Sequence, residues 1–70
     1  MLKVRWQGTN DIRFRKAHGD DFDNIPKLRK YVKMLAEEHR YCLRIWIDDI
    51  IVWDYEHGWY EEDLKIIGVL

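Results

Sequence analysis

Hydrophobic and polar positions alternate at the start of the chain, where Leu2, Val4 and Trp6 are separated by Lys3, Arg5 and Gln7. A period of two marks a strand with one buried face. Gln7-Gly8-Thr9-Asn10-Asp11 collects turn-forming residues. Ile12 and Phe14 then alternate with Arg13 and Arg15, which predicts a second strand joined to the first as a hairpin. His18-Gly19-Asp20-Asp21-Phe22-Asp23-Asn24 reads as a loop into a helix, with Asn24 as N-cap and Pro26 in the first turn. Ile25, Leu28, Val32, Leu35, Ala36 and His39 fall on one helical face, which Tyr31 and Met34 widen. Period two returns with Tyr41, Leu43, Ile45 and Ile47 against Cys42, Arg44 and Trp46. Asp48-Asp49 suits a two-residue hairpin loop because Asp tolerates left-handed backbone. Ile50 to Tyr55 then forms a fourth strand, and Glu56-His57-Gly58 turns the chain. Residues 59–69 fit a helix through Tyr60, Leu64 and Ile67, or a strand through Leu64-Lys65-Ile66-Ile67; the strand is favoured.

The order is ββαββ, or ββαβββ with a last strand, and it predicts an α+β domain: an antiparallel sheet of four or five strands with one helix on one face. Residues 1–70 contain no linker, repeat or low-complexity stretch and read as one domain. The predicted buried face holds Val4, Phe14, Leu43, Ile45, Ile47, Ile50 and Val52. The open face carries Lys3, Arg5, Arg13, Arg15, Arg44, Trp46, Trp53 and Tyr55.

A chain this short buries only about 60% of its unfolded surface, so the core is small. The single cysteine, Cys42, excludes an internal disulfide and suits a reducing compartment. The sequence lacks the roughly 20-residue apolar run of a membrane helix, and residues 1–5 do not open a signal peptide. The expected location is the cytoplasm, away from membranes.

The formal net charge of −1 conceals two opposed regions. Residues 1–18 and 25–46 are basic, whereas residues 47–70 carry seven acids against Lys65. The acids interleave with aromatic rings, and Trp and Tyr are the residues most enriched in binding hot spots. The predicted protein-binding set is Asp48, Asp49, Trp53, Asp54, Tyr55, Glu56, Trp59, Tyr60, Glu61, Glu62 and Asp63. A competing structural role is that Glu61, Glu62 and Asp63 fold over the basic hairpin, where Arg5 would oppose Arg13 and Lys3 would oppose Arg15.

The alternative site is a nucleic-acid surface on the open face, made by Lys3, Arg5, Arg13, Arg15, Arg44 and Trp46. In the predicted hairpin register Arg44 faces Trp53 and forms a cation–π pair. The sequence pI of about 6.3 weighs against this reading, because phosphate binding requires a net cationic footprint. A second copy of the chain is a further candidate partner, through a sheet edge or the tryptophan-rich face.

No nucleophile, base and orienter group together, so no enzyme and no catalytic residue is predicted. Cys42 and His39 lack a third member. Asp20-Asp21-x-Asp23-Asn24 resembles a calcium loop, but Pro26 occupies the glycine position and Val32 the terminal Glu position. No metal and no cofactor are predicted.

A disulfide-free α+β domain of this size, with an acidic-aromatic half from Trp46 to Asp63, resembles the small phage-encoded inhibitors of host defence, such as anti-CRISPR proteins. The likeness lies in overall size and charge style. It implies a stoichiometric inhibitor that occupies a nucleic-acid-binding or assembly surface of a host protein complex in the host cytoplasm. The acids would meet basic groups of the target, with Trp53, Tyr55, Trp59 and Tyr60 as anchors.

Overall fold

The computed structural model describes residues 1–9, 17–38 and 42–69. In chain order these form β1 (Leu2–Gly8), β2 (His18–Phe22), α1 (Ile25–Glu38), β3 (Cys42–Ile47), β4 (Ile50–Asp54), β5 (Gly58–Trp59) and α2 (Glu61–Ile66). The strands make one antiparallel sheet in the order β2-β1-β3-β4-β5. The α+β class, the five-strand count and the main helix agree with the sequence pattern. No helix of the described residues is long and apolar enough to cross a membrane.

Helix α1 forms where its signals stand. Asn24 accepts the Lys27 N–H on its side chain (3.1 Å) and the Leu28 N–H on its carbonyl (3.0 Å). Leu28, Val32 and Leu35 are buried against Val4, Ile45, Ile47 and Val52 of the sheet. Met34, expected on this apolar side, is exposed instead, because it lies on the outward flank with Lys30. His39 lies outside the described residues.

Three registers depart from simple alternation. Residues 18–22, expected as a loop, form edge strand β2, which pairs Leu2 with Phe22, Arg5 with Gly19 and Trp6 with His18. The expected strand at Ile12 and Phe14 lies outside the described residues, as do Arg13 and Arg15. With β2 on one edge of β1 and β3 on the other, Lys3 faces Asp21 and Arg5 faces Gly19 and Trp46. The described partners of Lys3 and Arg5 thus include no cation; the expected Arg5–Arg13 and Lys3–Arg15 pairs fall on residues outside the described ones. Strand β2 escaped the pattern because it is exposed almost throughout and its Asp and Gly residues are poor strand formers.

The second departure lies between β1 and β3, where Gln7 pairs with Arg44 but Gly8 pairs with Cys42. Leu43 becomes the extra residue of a bulge, so Cys42 takes the buried place expected of Leu43. The third lies between β3 and β4. Trp46 pairs with Ile51 but Ile45 pairs with Trp53, leaving Val52 as the extra residue. Val52 is buried and Trp53 also packs against the core, so Trp53 leaves the open face assigned to it. Ile50, expected in the core, is exposed beside the Asp48-Asp49 turn.

Beyond Trp59 the favoured strand is a helix, α2. Its acids stand in the first turn, where they complement the helix dipole. Gly68 ends it in left-handed backbone (φ 81°). The Gly68 N–H bonds the Lys65 carbonyl and the Val69 N–H bonds the Leu64 carbonyl (2.9 Å), with Leu64 and Val69 both buried. This is the Schellman pattern of helix endings.

Gly19 permits the β1–β2 contact. Its φ is 154°, and a Cβ there would stand 1.9 Å from the Val4 carbonyl oxygen. Gly19→Ala is expected to destabilise the protein by about 2–4 kcal/mol, read as a lower urea midpoint. An unchanged midpoint would show that β2 does not lie against Val4.

Candidate protein-docking site

Strand β4 delivers the acidic-aromatic segment to one edge of the sheet. After Asp54 the chain turns through Tyr55, Glu56 and His57, then pairs Trp59 with Trp53 in β5. The Tyr60 N–H donates to the Val52 carbonyl (2.9 Å), and α2 begins at the next residue. The Trp53–Trp59 pair puts both indoles on the core side of the sheet, where each is half-buried. Tyr60 stacks on His57 with centroids 4.0 Å apart and planes 8° apart. His57 is thus part of the site although the sequence reading left it out. Its position three residues before Tyr60, across a turn containing Gly58, was the available signal.

His57, Trp59, Tyr60, Glu61, Glu62 and Asp63 line one concavity of about 340 Å³. Among the described residues, Glu61, Glu62 and Asp63 make no ion pair. None of the three pairs with Lys3 or Arg5; Arg13 and Arg15, the other cations of the expected hairpin, lie outside the described residues. Asp21 and Asp54 supply carboxylates within the sheet. Arg5 Nη1 meets Asp21 Oδ1 at 3.2 Å, and Arg44 Nε stands 3.6 Å from Asp54 Oδ2. The Val52 bulge moves Arg44 opposite Asp54, so the expected Arg44–Trp53 pairing is replaced by this ion pair.

The remaining predicted residues divide. Tyr55 and Glu56 are exposed in the turn beside Asp54, whose carboxylate also accepts the Glu56 N–H (2.9 Å). Asp48 and Asp49 lie at the opposite end of β4, about 17 Å away at strand rise. Both have left-handed backbone, φ 49° and 67°, as the hairpin loop requires. Asp48 also accepts the Lys3 N–H on its side chain and donates its own N–H to the Lys3 carbonyl, each at 2.9 Å. It extends the β1–β3 ladder.

On the alternative surface, Trp46 is half-buried on the face away from α1, flanked in register by Arg5 and Ile51. Lys3 is exposed opposite Asp21. The described part of that face thus pairs its two arginines with its own acids.

The chain matches no family model, no curated protein and no solved structure. Its site is therefore read from its own residues. Among the described residues, no three His, Cys, Asp or Glu side chains converge as metal ligands.

Cys42 lies in the core, and its Sγ is 3.8 Å from the Arg44 carbonyl oxygen. Burial pushes its thiol up to about 11, a rise that hydrogen bonding with the Arg44 backbone partly offsets. The raised value favours the folded state while the thiol stays protonated. That contribution is whole below about pH 9, the unfolded value, and is lost as pH rises towards 11. Native protein is expected to resist thiol alkylation at pH 8, with stability falling between pH 9 and 11. Cys42→Ala should flatten that fall, measured by urea denaturation at stepped pH, and a slope unchanged by the substitution would contradict the assignment.

Proposed function

We propose that this chain is a non-enzymatic binding protein that presents His57 to Asp63 to a basic surface of another protein. The observation that carries the reading is the unequal use of charge. Glu61, Glu62 and Asp63 are free of internal ion pairs among the described residues, while Arg5 and Arg44 are each paired with an acid. Rings stand beside the free acids, since Trp59 and stacked Tyr60 line the same concavity. Large rings desolvate a contact at low entropic cost, and acids in register with a basic patch speed encounter and set orientation.

Where the basic surface is one that holds nucleic acid, its occupation makes the chain a stoichiometric inhibitor. The resemblance in size and charge style to phage-encoded inhibitors of host defence supports that form of the reading. Asp54, Tyr55 and Glu56 extend the contact along the β4–β5 turn, whereas Asp48 and Asp49 fall outside a single footprint.

Tagged protein is expected to capture a protein from its native host and to displace nucleic acid from it. Glu61→Gln with Glu62→Gln should weaken that capture at least about tenfold and reduce its salt dependence, with the circular dichroism spectrum unchanged. Retention of nucleic acid at physiological salt, without a protein partner, would overturn the reading in favour of the open sheet face.

A further inference from the structure

Helices α1 and α2 do not close on each other. Between them lies a cleft of about 290 Å³ whose floor is Val32, Leu64, Val69 and the half-buried ring of Trp59. We infer that this cleft is a socket for one large uncharged side chain of the docking partner, so that the recognised segment carries a Phe- or Leu-like residue next to a Lys or Arg. The inference rests on the acidic docking reading and adds the partner's apolar requirement to it.

The walls of the cleft are fixed from behind. Val32 and Leu64 are anchored in the same core, which ties each helix to the sheet. The Schellman ending of α2 turns the backbone at Gly68 and aims the Val69 carbonyl at α1, where Arg29 Nε donates a hydrogen bond to it. That bond links α1 to the segment that follows α2 and fixes one end of the cleft. A cavity of about 150 Å³ lined by apolar side chains accepts benzene, so the cleft has room for a phenyl or isobutyl group.

The rim selects the occupant's charge. Lys33 and Arg29 stand on the α1 side, balanced by Glu37 and Glu61. With that balance over an apolar floor, a charged group gains no net attraction to offset its desolvation, and a neutral side chain is favoured. Beyond Trp59 and Glu61, which line both spaces, the field turns negative with Glu62 and Asp63. A basic residue adjacent to the apolar one meets that acidic side.

Chemical-shift titration of the full chain with three probes tests the inference. The peptides Ac-Lys-Gly-Lys-NH2 and Ac-Lys-Phe-Lys-NH2 differ in the apolar residue, and N-acetylphenylalaninamide carries that residue without charge. The Phe peptide is expected to bind about tenfold tighter than the Gly peptide or better. It should move the Val32, Leu64 and Val69 methyls and the Trp59 indole, whereas the Gly peptide should move only the 61–63 amides. Lys33→Trp, at an exposed rim position, should fill the socket and erase the difference while leaving Gly-peptide binding in place.

Equal affinities with still methyls would overturn the socket and leave acidic docking standing. Methyl shifts with N-acetylphenylalaninamide but no amide shifts with the Gly peptide would overturn acidic docking. The cleft would then be a site for a neutral apolar molecule and the coupled inference would fall. Methyl shifts on dilution of the free protein, with a dimer in sedimentation, would assign the cleft to a second copy and also overturn it.

Discussion

The extra residue at Val52 governs what the C-terminal half presents to solvent. Without it, β3 and β4 would alternate in step and Trp53 would face the side of the sheet away from α1. With it, Val52 and Trp53 both turn to the core, and Asp54 arrives opposite Arg44. Trp53 in that position is what Trp59 pairs with, and the freed Val52 carbonyl receives the Tyr60 N–H. The start of α2, and so the place of Glu61 to Asp63, follows from one unpaired residue. A bulge bends its strand and increases the local twist. Here it sits where a strand edge must give way to a short helix.

The same shift sorts the charges. Asp54 is committed to Arg44 and Asp21 to Arg5, both in partly exposed pairs. Such pairs contribute little to stability, typically about 0–1 kcal/mol. Their consequence is instead that the described arginines of the open face are screened by carboxylates of neighbouring strands. The acids of α2 have no such partner among the described residues, and the short helix holds them at its first turn, where its dipole favours them. The basic and acidic halves of the sequence thus do not cancel as blocks. Among the described residues the ion pairs lie within the sheet, and the three acids at the start of α2 stand outside them.

What the sequence disclosed follows from where its physical signals agreed and no competing one intervened. Helix α1 was legible because cap, proline, period and apolar face agree from Asn24 to Leu35. The Asp48-Asp49 turn was legible because a two-residue loop between apolar strands demands left-handed backbone, which Asp accepts. The bulges were not, since a single extra residue leaves alternation intact on either side of it. Leu43 and Cys42 exchanged places for that reason, as did Trp53 and its expected face. Strand β2 was hidden because an exposed edge strand has no apolar period, and its Asp residues suppress edge pairing with other chains. Helix α2 had readable ends, acids at 61–63 and Gly68 beyond the last turn, but its apolar residues are few enough to fit a strand equally well. The site inherited these errors: Tyr60 to Asp63 were named with the wrong backbone beneath them, and His57 was missed because its role arises from stacking.

Acids in the first turn of a helix have an ordinary local use, so their presence in α2 does not by itself indicate a partner. The contribution of each to the dipole is about 0.3–1 kcal/mol, and one or two would serve a helix of six residues. Three adjacent acids repel one another, and the third adds less to the helix than the first. A domain with a small core has little stability to spare on such repulsion. The surplus is more readily understood as charge directed outward, beside rings that the fold leaves half-covered. Glu61 also borders the α1–α2 cleft, so one residue at the start of α2 joins an acidic surface to an apolar one. A partner that engages both would relieve the repulsion and cover Trp59 in the same step, which neither surface achieves alone.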